Sequence, residues 1–190
     1  MKNVVALCAV FFLAAIGSAQ QMTSSALKAM GAPNNPDVEI AWNRYYDSEQ
    51  IGDICKRIAA RHADVVKYSS IGKSVQGRSL HLLTVTDFSV GNASRKPAMY
   101  IDGNIHSNEI QGSEVALYTA WYLAEMRDQN GWIKELLKKK TLYIVPTINP
   151  DARDFYIHKG NTPHTPRSGM LPRDDDGDGL VDEDPYDDLD

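Results

Sequence analysis

The 190-residue sequence has few cysteines, only Cys8 and Cys55. Cys8 lies in an apolar N-terminal stretch that we expect to be removed, which leaves Cys55 alone. The disulfide framework typical of small secreted proteins is therefore not expected. Cys55 is interpreted as a small buried hydrophobic residue on a helix.

The sequence also lacks an apolar run of membrane-spanning length. The run over residues 4–16, VVALCAVFFLAAI, is shorter than the roughly 20 residues that a membrane helix needs. Lys2 precedes it and small residues follow it, the pattern of a secretory signal peptide cleaved after Ala19. We predict a signal peptide over residues 1–19 and a linker or N-terminal arm over residues 20–39. The protein would then be secreted, periplasmic or extracellular, without a stable membrane span after signal removal; an uncleaved anchor is the alternative.

No stripe of lysine and arginine with interleaved aromatic residues occurs, so a nucleic-acid partner is not expected. The formal net charge of −5 is unevenly distributed along the chain. Residues 174–190 contain ten acidic residues and no lysine or arginine, and without these ten the net charge becomes +5. The sequence therefore combines a mildly basic body with a strongly acidic tail.

The order of predicted elements indicates an α/β fold. A helix is predicted after Asp47 or Ser48, where isoleucines recur at helical spacing, and a hairpin is predicted around residues 72–77. The apolar runs KPAMYIDGNI and KKTLYIVPTINP predict two buried strands, the second closed by a turn at Asn149-Pro150. A helix is predicted between them, over SEVALYTAWYLAEM. Such an order favours a mixed, partly parallel sheet flanked by helices.

Polar residues follow both predicted strands. His106 and Glu109 come after the first, and Asn149, Asp151 and Arg153 after the second. Ligand sites in such sheets gather at the carboxyl ends of strands, so we expect one crevice here. A histidine and a glutamate three residues apart can hold zinc. By spacing alone, the alternative is a polar turn whose glutamate stabilises a helix N-terminus.

Three segments resemble, in order, the zinc carboxypeptidases of the carboxypeptidase A/B type. They are YYDSEQIGDICKRIAARHADVVKYSSIGKSVQGRSLHLLTVTD, which contains the hairpin segment IGKSVQGRSL, then PAMYIDGNIHSNEIQGSEVAL and LYIVPTINPDA. The resemblance covers about residues 41–154. It implies that residues 40–190 are a zinc-carboxypeptidase-like catalytic domain, incomplete at the C-terminus, with residues 173–190 as an Asp-rich insertion.

The resemblance also implies an activity, the hydrolysis of C-terminal peptide bonds, with peptide or protein C-termini as substrates. His106 and Glu109 would be two zinc ligands. The third ligand and the general-base glutamate are expected beyond Asp190. His158 and His164 come too early for the third ligand and are interpreted as surface loop histidines.

The resemblance does not identify which arginine would stabilise the oxyanion. The family's usual R-x-W-R-K run after N-P-D is absent, and HTPRSGMLPR stands in that region. Arg167 is the better candidate by position for a role in oxyanion or substrate binding. The alternative is a loop arginine.

The acidic tail has oxygen ligands at alternate positions. These are Asp174, Asp176, Asp178 and Asp182. With Gly179 for a sharp turn, the spacing predicts the first half of a calcium-binding loop, although position 12 is Pro185 and not glutamate. The alternative is a solvated acidic insertion.

Two other functions stay open. One is a zinc-dependent deacylase of N-acyl amino acids that uses the same H-x-x-E pair. The other is a non-catalytic secreted calcium-binding protein.

Overall fold

A computed structural model describes residues 31–159, 174 and 177–180. The helices are α1 (Ser48–Arg61), α2 (Gln111–Met126), α3 (Gly131–Lys139) and α4 (Pro150–His158). The strands are β1 (Val66–Lys73), β2 (Ser79–Val85), β3 (Ala98–Asp102) and β4 (Thr141–Val145). Two short 3₁₀ turns, Phe88–Val90 and Ala93–Arg95, lie between β2 and β3.

The four strands form one mixed sheet in the order β1-β2-β4-β3. β1 pairs antiparallel with β2 and β2 antiparallel with β4, whereas β3 and β4 run parallel. The α/β architecture with a partly parallel sheet is therefore confirmed, and so is the hairpin. The parallel pair places the carboxyl ends of β3 and β4 at the same edge of the sheet.

Helix α1 begins at the predicted position. The Asp47 carboxylate accepts a hydrogen bond from the Gln50 N–H at 2.8 Å, and the Gln50 side chain accepts one from the Asp47 N–H at 3.2 Å, which forms a capping box. Ile51 and Ile58 are fully buried in the core, and Cys55 is buried beside them as expected. Cys55 is thus a packing residue.

Helix α2 supplies much of the core between the sheet and the N-terminal arm. Its buried side chains include Leu117, Ala120, Trp121 and Ala124, while Val115, in the same predicted register, is 64% exposed. Ordered packing also begins earlier than Ile40, because Val38 is buried and its carbonyl accepts the Trp121 indole N–H at 2.8 Å.

Two expectations about elements are wrong, and one helix was missed. The segment predicted as the first buried strand, β3, is largely exposed, because β4 is its only pairing partner among the described residues. Helix α3 was not predicted. The segment at Asn149-Pro150 is not only a turn, since it opens helix α4. None of the helices among the described residues is long and apolar enough to span a membrane.

Candidate metal centre

The candidate site is the loop over residues 103–110, which connects β3 to α2 at the carboxyl edge of the parallel pair. The parallel hydrogen bonding continues beyond the strands: the Gly103 N–H donates to the Val145 carbonyl at 3.3 Å, and the Ile148 N–H donates to the Gly103 carbonyl at 3.0 Å. The start of this loop is thereby fixed to the segment that leads into α4.

A close approach of two backbones sets the direction of the loop. A Cβ atom on Gly103 would lie 2.5 Å from the Gly112 carbonyl oxygen and 2.9 Å from the Pro146 carbonyl oxygen. Only glycine lets the first turn of α2 pack this closely against the strand ends. The loop is therefore a short, tight connection.

Asn104 turns the chain sharply after Gly103. It has a positive φ of 56°, a conformation that asparagine tolerates better than most residues. Its side chain is buried, and the amide nitrogen donates to the His106 carbonyl at 2.7 Å. A second donation from this amide reaches the Ser107 carbonyl at 3.4 Å. One side chain thus holds the backbone of the loop from inside.

His106 and Glu109 meet on the outer side of this loop. The His106 Nδ1 atom lies 3.0 Å from the Glu109 Oε1 atom, and the two side chains are 33% and 52% exposed. The Glu109 N–H donates to the His106 carbonyl at 3.2 Å, so a backbone turn brings the two side chains together. Glu109 precedes α2 by two residues and is not part of the helix.

This pair fits zinc by the chemistry of its donors. Imidazole nitrogen and carboxylate oxygen are both zinc ligands, and two donors on one tetrahedral zinc ion lie about 3.4 Å apart. The observed 3.0 Å separation is close to that distance. The polar-turn alternative would have the same hydrogen bond without an ion.

Arg153, on α4, lies directly behind the loop and is fully buried. Its guanidinium donates to the Tyr46 carbonyl at 2.7 Å, the Asn104 Oδ1 atom at 2.9 Å and the Ile110 carbonyl at 2.7 Å, and it also pairs with Glu114. Burial lowers the pKa of Arg153, and the Glu114 carboxylate opposes this shift. Since arginine stays charged at neutral pH, the buried charge is compensated by Glu114.

Asp151 has a different role from the one that its position suggested. Its carboxylate accepts hydrogen bonds from the Ser74 hydroxyl at 2.7 Å, the Gln76 N–H at 3.1 Å and the Arg78 guanidinium at 2.8 Å. Arg78 also pairs with Asp154 at 2.7 Å. Ser74 and Arg78, both in the segment IGKSVQGRSL, therefore attach the hairpin turn to α4.

Of the five residues expected in one crevice, four lie around the loop. His106 and Glu109 are on it, Asn149 donates to the Ile105 carbonyl at 3.2 Å, and Arg153 lies behind it. Asp151 instead faces the hairpin. Asn149 also caps α4, with its side-chain oxygen 3.2 Å from the Ala152 N–H.

Several predicted residues lie outside the described part of the chain: residues 1–30, His164, Arg167, Asp176 and Asp182. His158 is described and is an exposed residue at the end of α4, 3.5 Å from Asp47, so the prediction of a surface position is confirmed and that of a loop position is wrong.

Asn104 and Glu114 also belong to the site, and neither was predicted from the sequence. The Gly103-Asn104 pair at a strand end is a turn signal that could have indicated Asn104. Glu114 carries no such signal, because its partner Arg153 is distant in sequence.

Another group of possible metal donors lies at the opposite end of α2. Asp37, His62 and Glu125 place one donor atom each within 4.8 Å of one another. The Glu125 carboxylate accepts the Asp37 and Val38 N–H groups, both at 2.8 Å, and contacts the His62 Nε2 atom at 3.0 Å. These contacts attach the N-terminal arm to α2, and we assign the group a structural role.

The chain matches the zinc carboxypeptidase family over residues 51–165. Carboxypeptidase Z of Mus musculus is 32% identical over 117 residues, which cover 61% of this chain and 18% of that protein. The carboxypeptidase N catalytic chain of Rattus norvegicus is 33% identical over 109 residues, which cover 57% of this chain and 23% of that protein. The chain therefore spans about a fifth of the length of these relatives.

Solved structures show the same relationship. Bovine thrombin-activatable fibrinolysis inhibitor, in its complex with tick carboxypeptidase inhibitor, superposes with a TM-score of 0.52 at 26% identity, covering 62% of this chain and 36% of that one. Carboxypeptidase A from Helicoverpa armigera shares the fold with a TM-score of 0.55 at 19% identity, covering 75% of this chain and 34% of that one. Because the family match covers more than half of the chain, this protein belongs to the zinc carboxypeptidase family.

Proposed function

We propose that the protein acts as a zinc-dependent metallocarboxypeptidase that hydrolyses C-terminal peptide bonds, with His106 and Glu109 as two of its zinc ligands. One observation carries this proposal: the 3.0 Å approach of His106 to Glu109 at the carboxyl end of a parallel strand. The pair also lies within the region matched by the family.

Each residue of the site would have a defined part. His106 and Glu109 would hold the ion, and Asn104 would fix the loop that carries them. When bound, zinc supplies Lewis-acid polarisation of the scissile carbonyl and lowers the pKa of a coordinated water. We propose that the third ligand and a general-base glutamate come from beyond Asp190 in a longer form of the protein, and that Arg167 contributes to oxyanion binding.

Zinc retention tests the two ligands directly. The experiment uses the form of the protein that extends beyond Asp190. After dialysis, metal analysis should find about one zinc per chain in the wild type and nearly none in His106→Ala. His158→Ala is the matched control, since this histidine is exposed at the end of α4 and should leave the zinc content unchanged. Full zinc retention in His106→Ala would overturn the ligand assignment.

Substrate profiling of the same protein separates the two zinc-dependent functions. A carboxypeptidase releases the last residue of a peptide with a free C-terminus and spares a C-terminally amidated peptide. Release of the acyl group from small N-acyl amino acids, with no action on longer peptides, would support the deacylase and contradict our proposal.

We further propose that the Asp-rich segment binds calcium. The Asp174 carboxylate accepts the Gly177 N–H at 2.7 Å and the Gly179 N–H at 3.0 Å, and Gly179 has a positive φ of 92°, which supports a tight turn after Asp174. Calorimetric titration with calcium should give a binding isotherm that Asp174→Asn weakens and that Asp128→Asn, an exposed control at the start of the α2–α3 connection, does not. An identical isotherm for Asp174→Asn would contradict the proposal.

We infer that residues 1–19 direct secretion and are removed after Ala19. Terminal sequencing of the exported protein should then begin at Gln20, and an intact Met1 on the exported protein would contradict this.

A further inference from the structure

We propose that Arg153 and Asn104 form a positioning relay that holds the His106–Glu109 pair in its metal-binding arrangement. This inference rests on the proposed function, because it concerns the same loop. Asn104 contacts the backbone carbonyl of His106, and Arg153 contacts the Asn104 side chain and the Ile110 carbonyl. Both residues therefore act on the pair through the loop backbone.

The first half of the relay is the contact between α4 and the loop. Arg153 directs two donors at the loop: one 2.9 Å contact to the Asn104 Oδ1 atom and one 2.7 Å contact to the Ile110 carbonyl. These two acceptors lie at the two ends of the segment that contains His106 and Glu109. A single rigid guanidinium therefore fixes the separation of the ends of the loop.

The second half is the amide of Asn104. Its oxygen accepts from Arg153, and its nitrogen donates to the His106 carbonyl at 2.7 Å. Because both ends of the amide are engaged, the orientation of the amide is determined. A shift of the guanidinium would thus be passed to the backbone of His106.

The remaining donors of Arg153 keep the guanidinium in place. One goes to the Tyr46 carbonyl at 2.7 Å and another to the Glu114 carboxylate, which also accepts the Tyr46 N–H at 3.2 Å. Glu114 lies on the first turn of α2, just after the loop. Lysine at position 153 could not reach these acceptors, because it lacks the planar fork of donors.

Partners of this kind orient metal ligands, and their loss typically weakens metal binding about 10–100-fold. Asn104→Gly is the first test, since glycine keeps the positive φ and removes only the amide. Arg153→Met combined with Glu114→Gln is the second, because it removes the guanidinium without leaving an unpaired buried carboxylate. Zinc affinity is measured by competition with a chelator, on the same folded form of the protein as in the zinc-retention experiment.

Both variants should bind zinc about 10–100-fold more weakly than the wild type. Adding Asn104→Gly to the Arg153→Met/Glu114→Gln variant should weaken binding by less than the product of the separate effects, because the two changes interrupt one relay. Arg78→Met is the control: Arg78 also joins α4 to another element, through Asp151 and Asp154, and its loss should lower the melting temperature and leave zinc affinity unchanged.

A metal-free measurement separates positioning from general stability. The Glu109 and Gly112 N–H groups donate within the loop and the first turn of α2, and their hydrogen exchange should become faster in Asn104→Gly while core amides such as Ile144 keep their protection. Wild-type zinc affinity together with unchanged loop exchange in both variants would overturn the relay. If the wild type bound no zinc, or His106→Ala kept it, the proposed function would fail, and the exchange measurement would still test the relay.

Discussion

Replacing Gly103 by alanine should destabilise the protein through a clash between backbones. The added Cβ would lie 2.5 Å from the Gly112 oxygen, 2.6 Å from the Gly112 carbonyl carbon and 2.9 Å from the Pro146 oxygen. Overpacking typically costs 1–3 kcal/mol, and no side-chain rotation can relieve contacts with backbone atoms, so we expect about 3 kcal/mol. For a chain of this size, that loss corresponds to a drop of about 6–12 °C in melting temperature.

Urea unfolding followed by tryptophan fluorescence measures this change, since Trp121 is buried in the core. Gly131→Ala is the matched control, because an added Cβ at this first position of α3 meets nothing within 4 Å and alanine favours the helix. Gly112→Ala should be intermediate, with its nearest contact, the Asn104 nitrogen, at 3.2 Å. A loss below about 1 kcal/mol for Gly103→Ala, or a loss equal to that of Gly131→Ala, would refute the close-approach argument.

Three further predictions concern residues outside the loop. Burial raises the pKa of the Cys55 thiol, so native protein should resist iodoacetamide at pH 8 and react only after unfolding, as peptide mass spectrometry would show; rapid native labelling would contradict this. Burial alone would raise the pKa of Asp151, but hydrogen bonds from Ser74, the Gln76 N–H and Arg78 outweigh it and lower the pKa. The stabilising contribution of Asp151 is therefore present at neutral pH and is lost as the pH falls through the lowered pKa. Asp151→Asn should reduce the difference in melting temperature between about pH 6 and pH 3. An unchanged difference would argue against this linkage. Glu125→Gln should make residues 31–38 more sensitive to limited proteolysis, because it weakens the hydrogen bonds from the Asp37 and Val38 N–H groups. Hydrogen bonds to a charged group contribute about 1.5–3 kcal/mol. Unchanged cleavage would show that the arm is held by packing.

Local sequence signals were sufficient wherever one short segment decided the structure. The start of α1 follows from a capping box within four residues, and the hairpin follows from a turn that contains Gly77 at a φ of 81°. The placement of His106 and Glu109 after a strand could likewise be predicted, because the end of an apolar run and the start of the next helical pattern are both local features of the sequence. These elements were predicted correctly.

Long-range partners could not be read in the same way. Asp151 and Arg153 are two residues apart and both looked suited to the site, yet Asp151 binds the hairpin turn and Arg153 binds the loop over residues 103–110. Successive residues on a helix point in different directions, and which neighbour each meets depends on how α4 packs. The exposure of β3 was missed for a related reason, since an apolar run does not show whether a strand has one neighbour or two.

The sequence by itself determined the type of site: a histidine and a glutamate three residues apart, after a strand and before a helix, in segments that resemble zinc carboxypeptidases. Only the tertiary structure decided how that site is held. The Gly103–Gly112 approach joins residues from a strand end and a helix, and the contacts of Arg153 join α4, Asn104, Glu114 and the segment before α1. Such contacts connect parts of the chain that are up to 107 positions apart, and they exist only once the sheet and its helices have packed.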